Sequence, residues 1–495
     1  MERLRALCAD ISDLGHATAL LSWDQETYMP PAGAEARGRQ MGTLGRLAHE
    51  MGTSAEMGRL LDELRPAVAS LDPDSFDARL VARAARDYEK AVCVPAALVV
   101  EAARVSSLAI PAWVQARAES RFEIFRPHLE KTLDIARWFA SCFPSAAHPY
   151  DALVDPYEEG MTTATLRSLF APLRERQVAL IRRIASAPPI DDSCLHQPFD
   201  VKEQWDFGME VVAAFGLDPQ RSRQDQSAHP FTIGIAFDDA RITTRMNPTS
   251  LGEGLFSTLH ECGHALYELG RSRDLEGTPL EAATSLGIHE TQSRLWENLV
   301  GRSLPFWRHF YPRLVRRFPQ LASVDLATFY GAINRVTPSL IRTEADEATY
   351  NLHVMLRMDI EIALVEGSLA VKDLPDAWNA GMKDYLGTEP PDDAHGVLQD
   401  IHWAHGSIGY FPTYAIGNIV AAQLWETMTL AIPDIETQIE AGRFEALLGW
   451  LRTNVHEPGR TFTPQELIRR VTGSGIDAVP YLRSLETKFG ALYGV

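Results

Sequence analysis

Apolar side chains recur at intervals of three and four residues along most of the chain, which is the spacing of one face of an α-helix. The pattern begins with Leu4, Leu7, Ile11, Leu14 and Leu21. Comparable patterns predict helices over residues 34–65, 77–105, 114–143, 162–187 and 201–215. The fold class is therefore predicted to be mainly α, without an internal repeat.

Two four-residue stretches carry the signal of a helix start, in which a capping residue is followed by proline and, three positions on, by glutamate. These are DPYE at 155–158 and TPQE at 463–466. PPIDDSCLHQPFD, at 188–200, predicts a loop. No clean boundary divides the chain, so residues 1–495 are predicted to form a single domain, with a helical N-terminal part over 1–200 and a catalytic core over 220–425.

One segment departs from the helical period. Apolar residues between Phe231 and Phe237 alternate with other residues, and the β-branched stretch RITT (241–244) follows an acidic turn. This alternation predicts a small antiparallel sheet. Ser250, with Glu253 three positions later, then predicts the start of a helix beside the sheet edge.

The composition is that of a water-soluble globular protein, with 45% apolar and 23% charged residues. A net charge of −19 disfavours nucleic acid or an anionic membrane as a partner. No uninterrupted apolar run reaches the roughly 18 residues that cross a bilayer, and the first residues lack the features of a secretion signal. Five scattered cysteines predict reduced thiols, so we predict a cytoplasmic protein.

The candidate chemistry lies in TLHECGHALYEL (258–269), on the helix predicted to follow the sheet. His260 and His264 share one face of that helix, so both rings can reach a single ion at about 2.0–2.1 Å. Glu261 follows the first histidine and can take a proton from a water molecule at the open position of the ion. This is the H-E-x-x-H arrangement of metallopeptidases, although the pattern also arises by chance.

A catalytic zinc ion needs a third protein ligand and keeps its fourth position for water. The metzincin extension is excluded, because its glycine and histidine positions hold Tyr267 and Gly270. The stretch GIHETQSRLWENLVG (287–301) supplies glutamates with helical spacing. Glu290 and Glu297 are seven residues apart and share a face, so spacing alone leaves both open as the third ligand.

Together with further motifs, these residues resemble the carboxypeptidase Taq family of zinc metallocarboxypeptidases. The motifs occur in the order of the family and are HPF (229–231), DARIT (239–243), HETQ (289–292), IRTEAD (341–346) and GVLQDIHW (396–403). Residues 20–37 and 406–418 are also similar to family segments, so the resemblance spans nearly the whole chain. Thr291 departs from the serine or glycine usual in the family, but the ligand position precedes it.

The resemblance implies Glu290 as the third zinc ligand. It implies a mainly helical fold with a deep active-site groove, a small sheet beside the zinc helix, and a homodimer. The implied activity is hydrolysis of the C-terminal peptide bond of peptides with a free C-terminus, with broad specificity. The implied cofactor is one Zn²⁺ per chain, which Co²⁺ can replace.

A carboxypeptidase must neutralise the free carboxylate of its substrate, and an arginine does so with two parallel hydrogen bonds. Arg342 in IRTEAD is the first candidate, and a salt bridge to Glu344 or Asp346 is its structural alternative. Arg241 in DARIT is the second candidate, because a sheet edge can align a peptide backbone. Its structural alternative is an ion pair with Asp239.

The oxyanion that develops during hydrolysis needs a donor in addition to the metal. His402 and Tyr410 are the candidates, followed by Tyr414, and simple burial of the ring is the alternative for the tyrosines. His229 precedes a proline and is therefore extended, so it contacts substrate or caps the sheet.

Imidazoles that bind zinc usually donate their second ring nitrogen to a carboxylate or a carbonyl group. Asp346 and Asp400 are the predicted partners of this kind. Cys262 lies between the two histidines and faces away from the ion, which favours packing over chemistry.

Two other functions are open from the sequence. An oligopeptidase would cut internal bonds of short peptides in the same groove. An inactive helical scaffold or peptide-binding protein would use the metal only for structure, but the intact Glu261 argues against this reading.

Overall fold

The computed structural model describes residues 1–495 and confirms the mainly helical fold class. The helices that precede the sheet are α1 (Glu2–Thr27), α2 (Ala34–Gly52), α3 (Ala55–Val68), α4 (Phe76–Cys93), α5 (Ala96–Glu119), α6 (Phe122–Ser141), α7 (Pro149–Val154), α8 (Thr163–Ala185) and α9 (Val201–Phe215). The helices predicted over 34–65 and 77–105 are each interrupted by a short turn. The interruption at Ser54 has a clear cause, because its side chain accepts a hydrogen bond from Met57 N–H and starts a new helix.

Helices also make up most of the chain after the sheet. They are α10 (Leu251–Glu268), α11 (Leu286–Arg294), α12 (Leu304–Arg317), α13 (Leu326–Ile333), α14 (Tyr350–Glu366), α15 (Leu374–Leu386), α16 (Pro412–Ala431), α17 (Ile435–Glu440), α18 (Glu445–Leu451), α19 (Pro464–Thr472) and α20 (Val479–Tyr493). Two π-helical segments span Leu295–Val300 and Arg452–His456. Short 3-10 turns span Pro31–Gly33, Ser193–Leu195, Arg273–Leu275, Pro319–Leu321, Arg342–Glu344, Val371–Asp373 and Gly459–Thr461.

One of the two predicted helix starts is confirmed. Thr463 caps α19, and its backbone N–H donates to the Glu466 carboxylate at 2.9 Å, which completes the capping box. The start predicted after Asp155 is wrong, because α7 ends there and a turn follows. The Asp155 carboxylate accepts hydrogen bonds from Gly160 N–H and from the Arg86 guanidinium, so it is not available to cap a helix.

The sheet contains the predicted antiparallel pair and one additional strand. Its strands are β1 (Ser222–Gln226), β2 (Thr232–Ala236) and β3 (Asp239–Thr244), in the order β1-β3-β2. β2 pairs antiparallel with β3, whereas β1 pairs parallel with it, so the sheet is mixed. The polar sequence SRQDQ of β1 has no apolar alternation and therefore gave no strand signal.

The H-E-x-x-H motif lies on α10, which begins after Ser250 as predicted. The predicted capping box does not form, since the Glu253 carboxylate accepts from the Asn247 side chain at 3.0 Å instead. α10 packs against both β3 and α11. The large hydrophobic core extends from α5 to α20, and a smaller one joins α1, α3 and α4. The division of residues 1–495 into one domain with two parts stays a prediction.

The helix α5 is long and apolar enough, by length and composition, to cross a membrane. Glu101 and Arg104 interrupt its most apolar 18-residue window, of which 22% is buried. A search of the sequence for an uninterrupted apolar run therefore did not detect this helix. Several large apolar side chains on α5 are exposed, with Val100 and Val114 the most exposed among them.

Candidate active site

Two imidazoles and one carboxylate converge between α10 and α11. Glu290 Oε2 lies 3.7 Å from His260 Nε2 and 3.5 Å from His264 Nε2. Two ligands bound at about 2.1 Å to a tetrahedral zinc ion are about 3.4 Å apart, so the observed spacing fits one ion held by all three residues. These residues could hold a metal ion, and two histidine nitrogens with one carboxylate oxygen are a donor set of catalytic zinc sites.

Glycines allow α11 to approach its neighbours closely. A Cβ atom on Gly263 of α10 would lie 2.5 Å from the main-chain oxygen of Gln292. A Cβ atom on Gly417 of α16 would lie 2.5 Å from Glu290 Cγ. Any side chain at these positions would displace α11, so the position of Glu290 depends on backbone contact among three helices.

The far side of the first imidazole is held by Glu297, the other glutamate that spacing left open. His260 Nδ1 lies 2.9 Å from Glu297 Oε2, in the π-helical segment that follows α11. Because Glu290 faces Nε2 of both histidines while Glu297 bonds Nδ1 of one, the geometry favours Glu290 as the ligand. Glu297 is in position to orient the ring.

The far side of the second imidazole joins a chain of buried polar groups. His264 Nδ1 lies 2.6 Å from His289 Nδ1, and His289 Nε2 lies 2.8 Å from Glu268 Oε1. Glu268 Oε2 in turn pairs with Arg271 at 2.6 Å. Sequence reasoning missed this chain, although Glu268 stands four residues after His264 and therefore on the same face of α10.

Asp346 and Asp400 were predicted as partners of the imidazoles, and this prediction is wrong. Asp346 accepts hydrogen bonds from backbone N–H groups of its own loop, including that of Thr337 at 2.9 Å. Asp400 binds two arginines. The imidazoles of His260 and His264 contact Glu297 and His289 instead.

Glu261 is buried beside β2, with 6% of its surface exposed. The Thr232 hydroxyl donates a hydrogen bond of 2.6 Å to Glu261 Oε2. Burial raises the pKa of Glu261 above its ordinary value. The second carboxylate oxygen makes no hydrogen bond within the chain, so it is available to a water molecule.

The charges of His264 and Glu290 suit metal binding, whereas the pKa of His260 is raised because Glu290 and Glu297 outweigh the effect of burial. Burial lowers the pKa of His264 to about 3, so this imidazole is neutral at neutral pH. Burial alone would raise the pKa of Glu290, but Arg294 and the two imidazoles hold it well below its ordinary value. Arg294 Nε donates to Glu290 Oε1 at 2.6 Å, which leaves Oε2 facing the histidines. The carboxylate is therefore ionised and oriented.

Arg342 belongs to a buried cluster with an excess of positive charge. Asp400 pairs with Arg342 at 2.8 Å and with Arg357 at 2.6 Å, so two guanidinium groups share one carboxylate. Arg342 Nη1 also donates to the Tyr350 hydroxyl at 2.8 Å. The Tyr350 ring lies 4.2 Å from the Arg294 guanidinium, which connects this cluster to the metal-binding residues. The partners that the sequence suggested for Arg342, in its own motif, are wrong.

Arg241 and His229 lie at the sheet. Arg241 forms two hydrogen bonds with Asp239, at 2.9 and 2.7 Å, and its guanidinium stacks over the Trp23 ring at 4.3 Å. The ion pair predicted as its structural alternative is therefore present. His229 lies exposed in the loop between β1 and β2, where its main-chain oxygen accepts from the Ser227 hydroxyl.

The three predicted donors form an aromatic cluster at the start of α16. His402 Nε2 lies 3.3 Å from the Tyr414 hydroxyl, and the Tyr410 ring centroid lies 5.4 and 5.3 Å from those of His402 and Tyr414. Burial lowers the pKa of His402 to about 4. Burial raises the pKa of both tyrosines, and the Glu290 charge contributes to the rise. All three side chains are neutral at neutral pH and close to the metal-binding residues.

Known proteins resemble this chain over almost its full length. The family profile described as "Carboxypeptidase Taq (M32) metallopeptidase" matches residues 3–489. "Thermostable carboxypeptidase 1" of Thermus thermophilus is 43% identical over 486 residues, which cover 96% of this chain and 95% of that protein. "Carboxypeptidase 1" of Bacillus subtilis is 37% identical over 485 residues, which cover 98% and 96%.

Solved structures share the same fold. The crystal structure of the M32 carboxypeptidase from Deinococcus radiodurans R1 has a TM-score of 0.97 and 43% identity, covering 100% of this chain and 99% of that one. A structure of Pyrococcus furiosus carboxypeptidase has a TM-score of 0.95 and 36% identity, covering 99% and 98%. The match over both chains extends to all the elements that carry the site.

The metal-binding geometry and the comparisons agree on the activity. The relatives are carboxypeptidases, and the family is one of metallopeptidases. The protein is a metallocarboxypeptidase, and the predicted class of enzyme is confirmed. This chain belongs to the carboxypeptidase Taq (M32) family of metallopeptidases.

Proposed function

We propose that this enzyme is a zinc carboxypeptidase that removes C-terminal residues one at a time, with broad specificity, from peptides with a free C-terminus. The observation that carries the proposal is the convergence of His260, His264 and Glu290 beside Glu261. The proposed cofactor is one Zn²⁺ per chain, which Co²⁺ can replace. We further propose that the enzyme is a cytoplasmic homodimer.

When bound, zinc supplies a Lewis acid that polarises the scissile carbonyl and lowers the pKa of water toward about 7. His260, His264 and Glu290 would hold it. Glu297 and His289 hydrogen-bond the ring nitrogens that face away from the ion, which keeps both imidazoles in the required orientation.

Glu261 is the proposed general base. Its carboxylate takes a proton from the attacking water and later donates it to the leaving amine. The hydrogen bond from Thr232 holds one oxygen and leaves the other free for this proton transfer. Burial raises the pKa of Glu261, which brings the carboxyl group closer to the neutral range where it can both accept and return a proton.

Arg342 is the proposed site for the substrate carboxylate. The pair Arg342 and Arg357 carries one more positive charge than Asp400 balances, and an entering carboxylate would restore neutrality in a buried setting. Arg241 is less suited to this role, because Asp239 already balances its charge. His229, exposed beside the sheet, is proposed as a further contact to the substrate.

His402, Tyr410 and Tyr414 are the proposed donors to the carbonyl oxygen as negative charge develops on it. Each is neutral at neutral pH and keeps an O–H or N–H group that can donate a hydrogen bond. Their rings pack against one another, which limits their motion and keeps the donors in place.

The decisive experiment uses two peptides that differ only in amidation of the C-terminus. We expect release of the C-terminal residue from the free acid and at least about hundredfold slower hydrolysis of the amide, because the amide leaves the arginine cluster without its charge partner. Equal hydrolysis of both peptides, or products cut at internal bonds, would refute the exopeptidase and support an oligopeptidase.

A pair of variants assigns the carboxylate site. Arg342→Gln is expected to abolish most of the preference for the free acid, whereas Arg241→Gln is expected to retain it, because only the first removes the excess charge. The opposite result would assign the role to Arg241. Metal analysis of purified protein, and restoration of activity by Zn²⁺ or Co²⁺ after chelation, test the cofactor.

A further inference from the structure

A cavity of about 510 Å³ lies at the C-terminal end of α10. Its walls are formed by α1, α2, α3 and α4, by β2, and by the end of α10 with the segment that follows it. Glu268, in the last turn of α10, forms part of its wall, whereas none of the proposed catalytic or metal-binding residues lines it. Its volume is in the range of small-molecule binding sites.

The cavity contains a buried carboxylate oxygen without a hydrogen-bond partner. Glu281 lines the cavity and is only 4% exposed. Its Oε2 accepts from Gly277 N–H at 2.8 Å, but its Oε1 has no partner. His16 Nε2 lies 3.6 Å from Oε1, within ion-pair range but beyond hydrogen-bond distance. A buried carboxylate oxygen without a hydrogen bond is costly, so this oxygen is suited to a cation that can donate one.

Two other charged residues at the cavity already have partners. Asp87 forms two hydrogen bonds with Arg460, at 2.8 and 2.9 Å. Arg271 pairs with the Glu268 carboxylate and donates Nη1 to the main-chain oxygen of Glu281. Arg271 therefore does not pair with the Glu281 carboxylate, whose Oε1 has no basic partner within hydrogen-bond distance.

The remaining lining indicates the shape of the cation. Ile11, Met57 and Ala84 give the cavity apolar walls. Ser12 and Tyr88 also line it, and their hydroxyl groups make no hydrogen bond within the chain. A primary ammonium group can donate three hydrogen bonds, and an attached alkyl stem would fill the apolar part.

We propose that this cavity binds a small organic cation, a primary ammonium group on a short aliphatic stem, with the ammonium on Glu281 Oε1 and the stem against the apolar wall. A bare Na⁺ or K⁺ ion would leave that wall unfilled. The site is distinct from the proposed peptidase site, and its existence does not depend on the peptidase mechanism.

Isothermal titration calorimetry of the holoenzyme with n-butylammonium chloride at constant ionic strength tests the proposal. We expect saturable binding at one site per chain, and none with n-butanol, NaCl or KCl. Glu281→Gln is expected to weaken binding at least about tenfold, because a neutral amide replaces the charge partner. Glu276→Gln, in an exposed carboxylate of the same segment, is the matched control and should bind as the parent does.

A second variant fills the space without changing charge. Ala48→Leu, on the α2 wall, is expected to weaken binding at least about tenfold by occupying the room for the stem. It keeps the test valid if Glu281→Gln fails to fold. No saturable heat, equal binding of NaCl, or full affinity in the folded variants would overturn the proposal. Because heat of binding is measured, the result is independent of peptide hydrolysis.

Discussion

At the scale of single residues, the candidate metal site is a set of matched polar contacts. Glu290 is ionised because Arg294 and the two imidazoles together outweigh the effect of burial on its pKa. Each imidazole has a partner on the ring nitrogen that faces away from the proposed ion. A buried site of this kind holds its geometry only while every member is satisfied, so variants of the partners should affect metal binding.

Glu297→Gln is expected to weaken zinc binding by about tenfold to hundredfold, because a neutral amide holds and polarises His260 less well than a carboxylate. Competition with a chromophoric chelator measures the affinity. Glu253→Gln, at an exposed position on α10, is the control and should keep the parental affinity. Unchanged zinc affinity in the Glu297→Gln variant would show that Glu297 does not support His260 as a ligand.

Glu261→Gln is expected to lower kcat by about a hundredfold to ten-thousandfold, because the amide cannot take the proton from water. Zinc content should stay at the level of the parent protein, since this side chain bonds Thr232 and is not one of the proposed metal ligands. Steady-state hydrolysis and metal analysis of the same preparation measure both quantities. Parental activity in this variant would exclude Glu261 as the base.

At the scale of elements, the site exists because three helices approach one another at glycines. Gly263 and Gly417 let the backbones of α10 and α16 contact α11, which carries Glu290. The tolerance for a side chain at such a contact is small, because the atoms it would meet belong to the backbone or to the ligand itself.

Gly417→Ala is expected to lower both the thermal unfolding midpoint and the zinc affinity, since the added methyl group displaces Glu290. Gly449→Ala in α18 is the matched control, because a Cβ atom there meets no other atom within 4 Å. Alanine in that helix should stabilise by up to about 1 kcal/mol. A Gly417→Ala variant that behaves like the control would mean that α11 accommodates the methyl group without loss of stability or zinc affinity.

Glu158, which hydrogen-bonds the start of α11, is expected to make the stability of the protein depend on pH. Its carboxylate accepts from Gly287 N–H at 3.1 Å, and burial raises its pKa from 4.5 to about 7. The folded protein therefore holds a proton that the unfolded chain releases. This contribution to stability is fully present below pH 4.5 and is lost as the pH rises to about 7, on the order of 3 kcal/mol.

Glu158→Gln keeps an acceptor for Gly287 and does not titrate. Its unfolding midpoint, relative to that of the parent protein, is expected to rise between pH 5 and pH 8. Glu130→Gln, in an exposed carboxylate on α6, controls for the loss of one charge. A parallel shift of the parent and Glu158 curves over this range would contradict the assignment.

At the scale of the whole molecule, the exposed apolar side chains of α5 set this helix apart. Val100 is 70% exposed and Val114 is 54% exposed. Contiguous exposed apolar surface on soluble proteins is often functional and marks interaction sites. The predicted homodimer would give such surface a role, although the resemblance to the family, and not α5, is the source of that prediction.

Sedimentation equilibrium is expected to give twice the chain mass of 55.0 kDa. The measurement should be repeated over a range of protein concentrations, because a homodimer dissociates on dilution according to its affinity. A mass of one chain at all concentrations would refute the homodimer and leave the proposed activity untouched.

Much of the fold and of the site was predictable from local patterns. Helical periodicity predicted most helices, since the apolar residues of an amphipathic face recur every three or four positions in the sequence. The H-E-x-x-H spacing placed His260 and His264 on one face for the same reason. β1 was missed because its polar residues carry no alternation, and the helix start at Asp155 was wrong because Arg86, distant in the sequence, takes its carboxylate.

Local patterns and motifs were enough for the helical architecture, for the face shared by His260 and His264, and for the family, because these depend on residues close in the chain or on motifs. The resemblance already implied Glu290 as the ligand, but the partner of each side chain, Glu297 for His260 and Asp400 for Arg342, became visible only in the folded chain. Such contacts join residues distant in sequence. Their geometry depends on how closely whole helices pack, which no local spacing encodes.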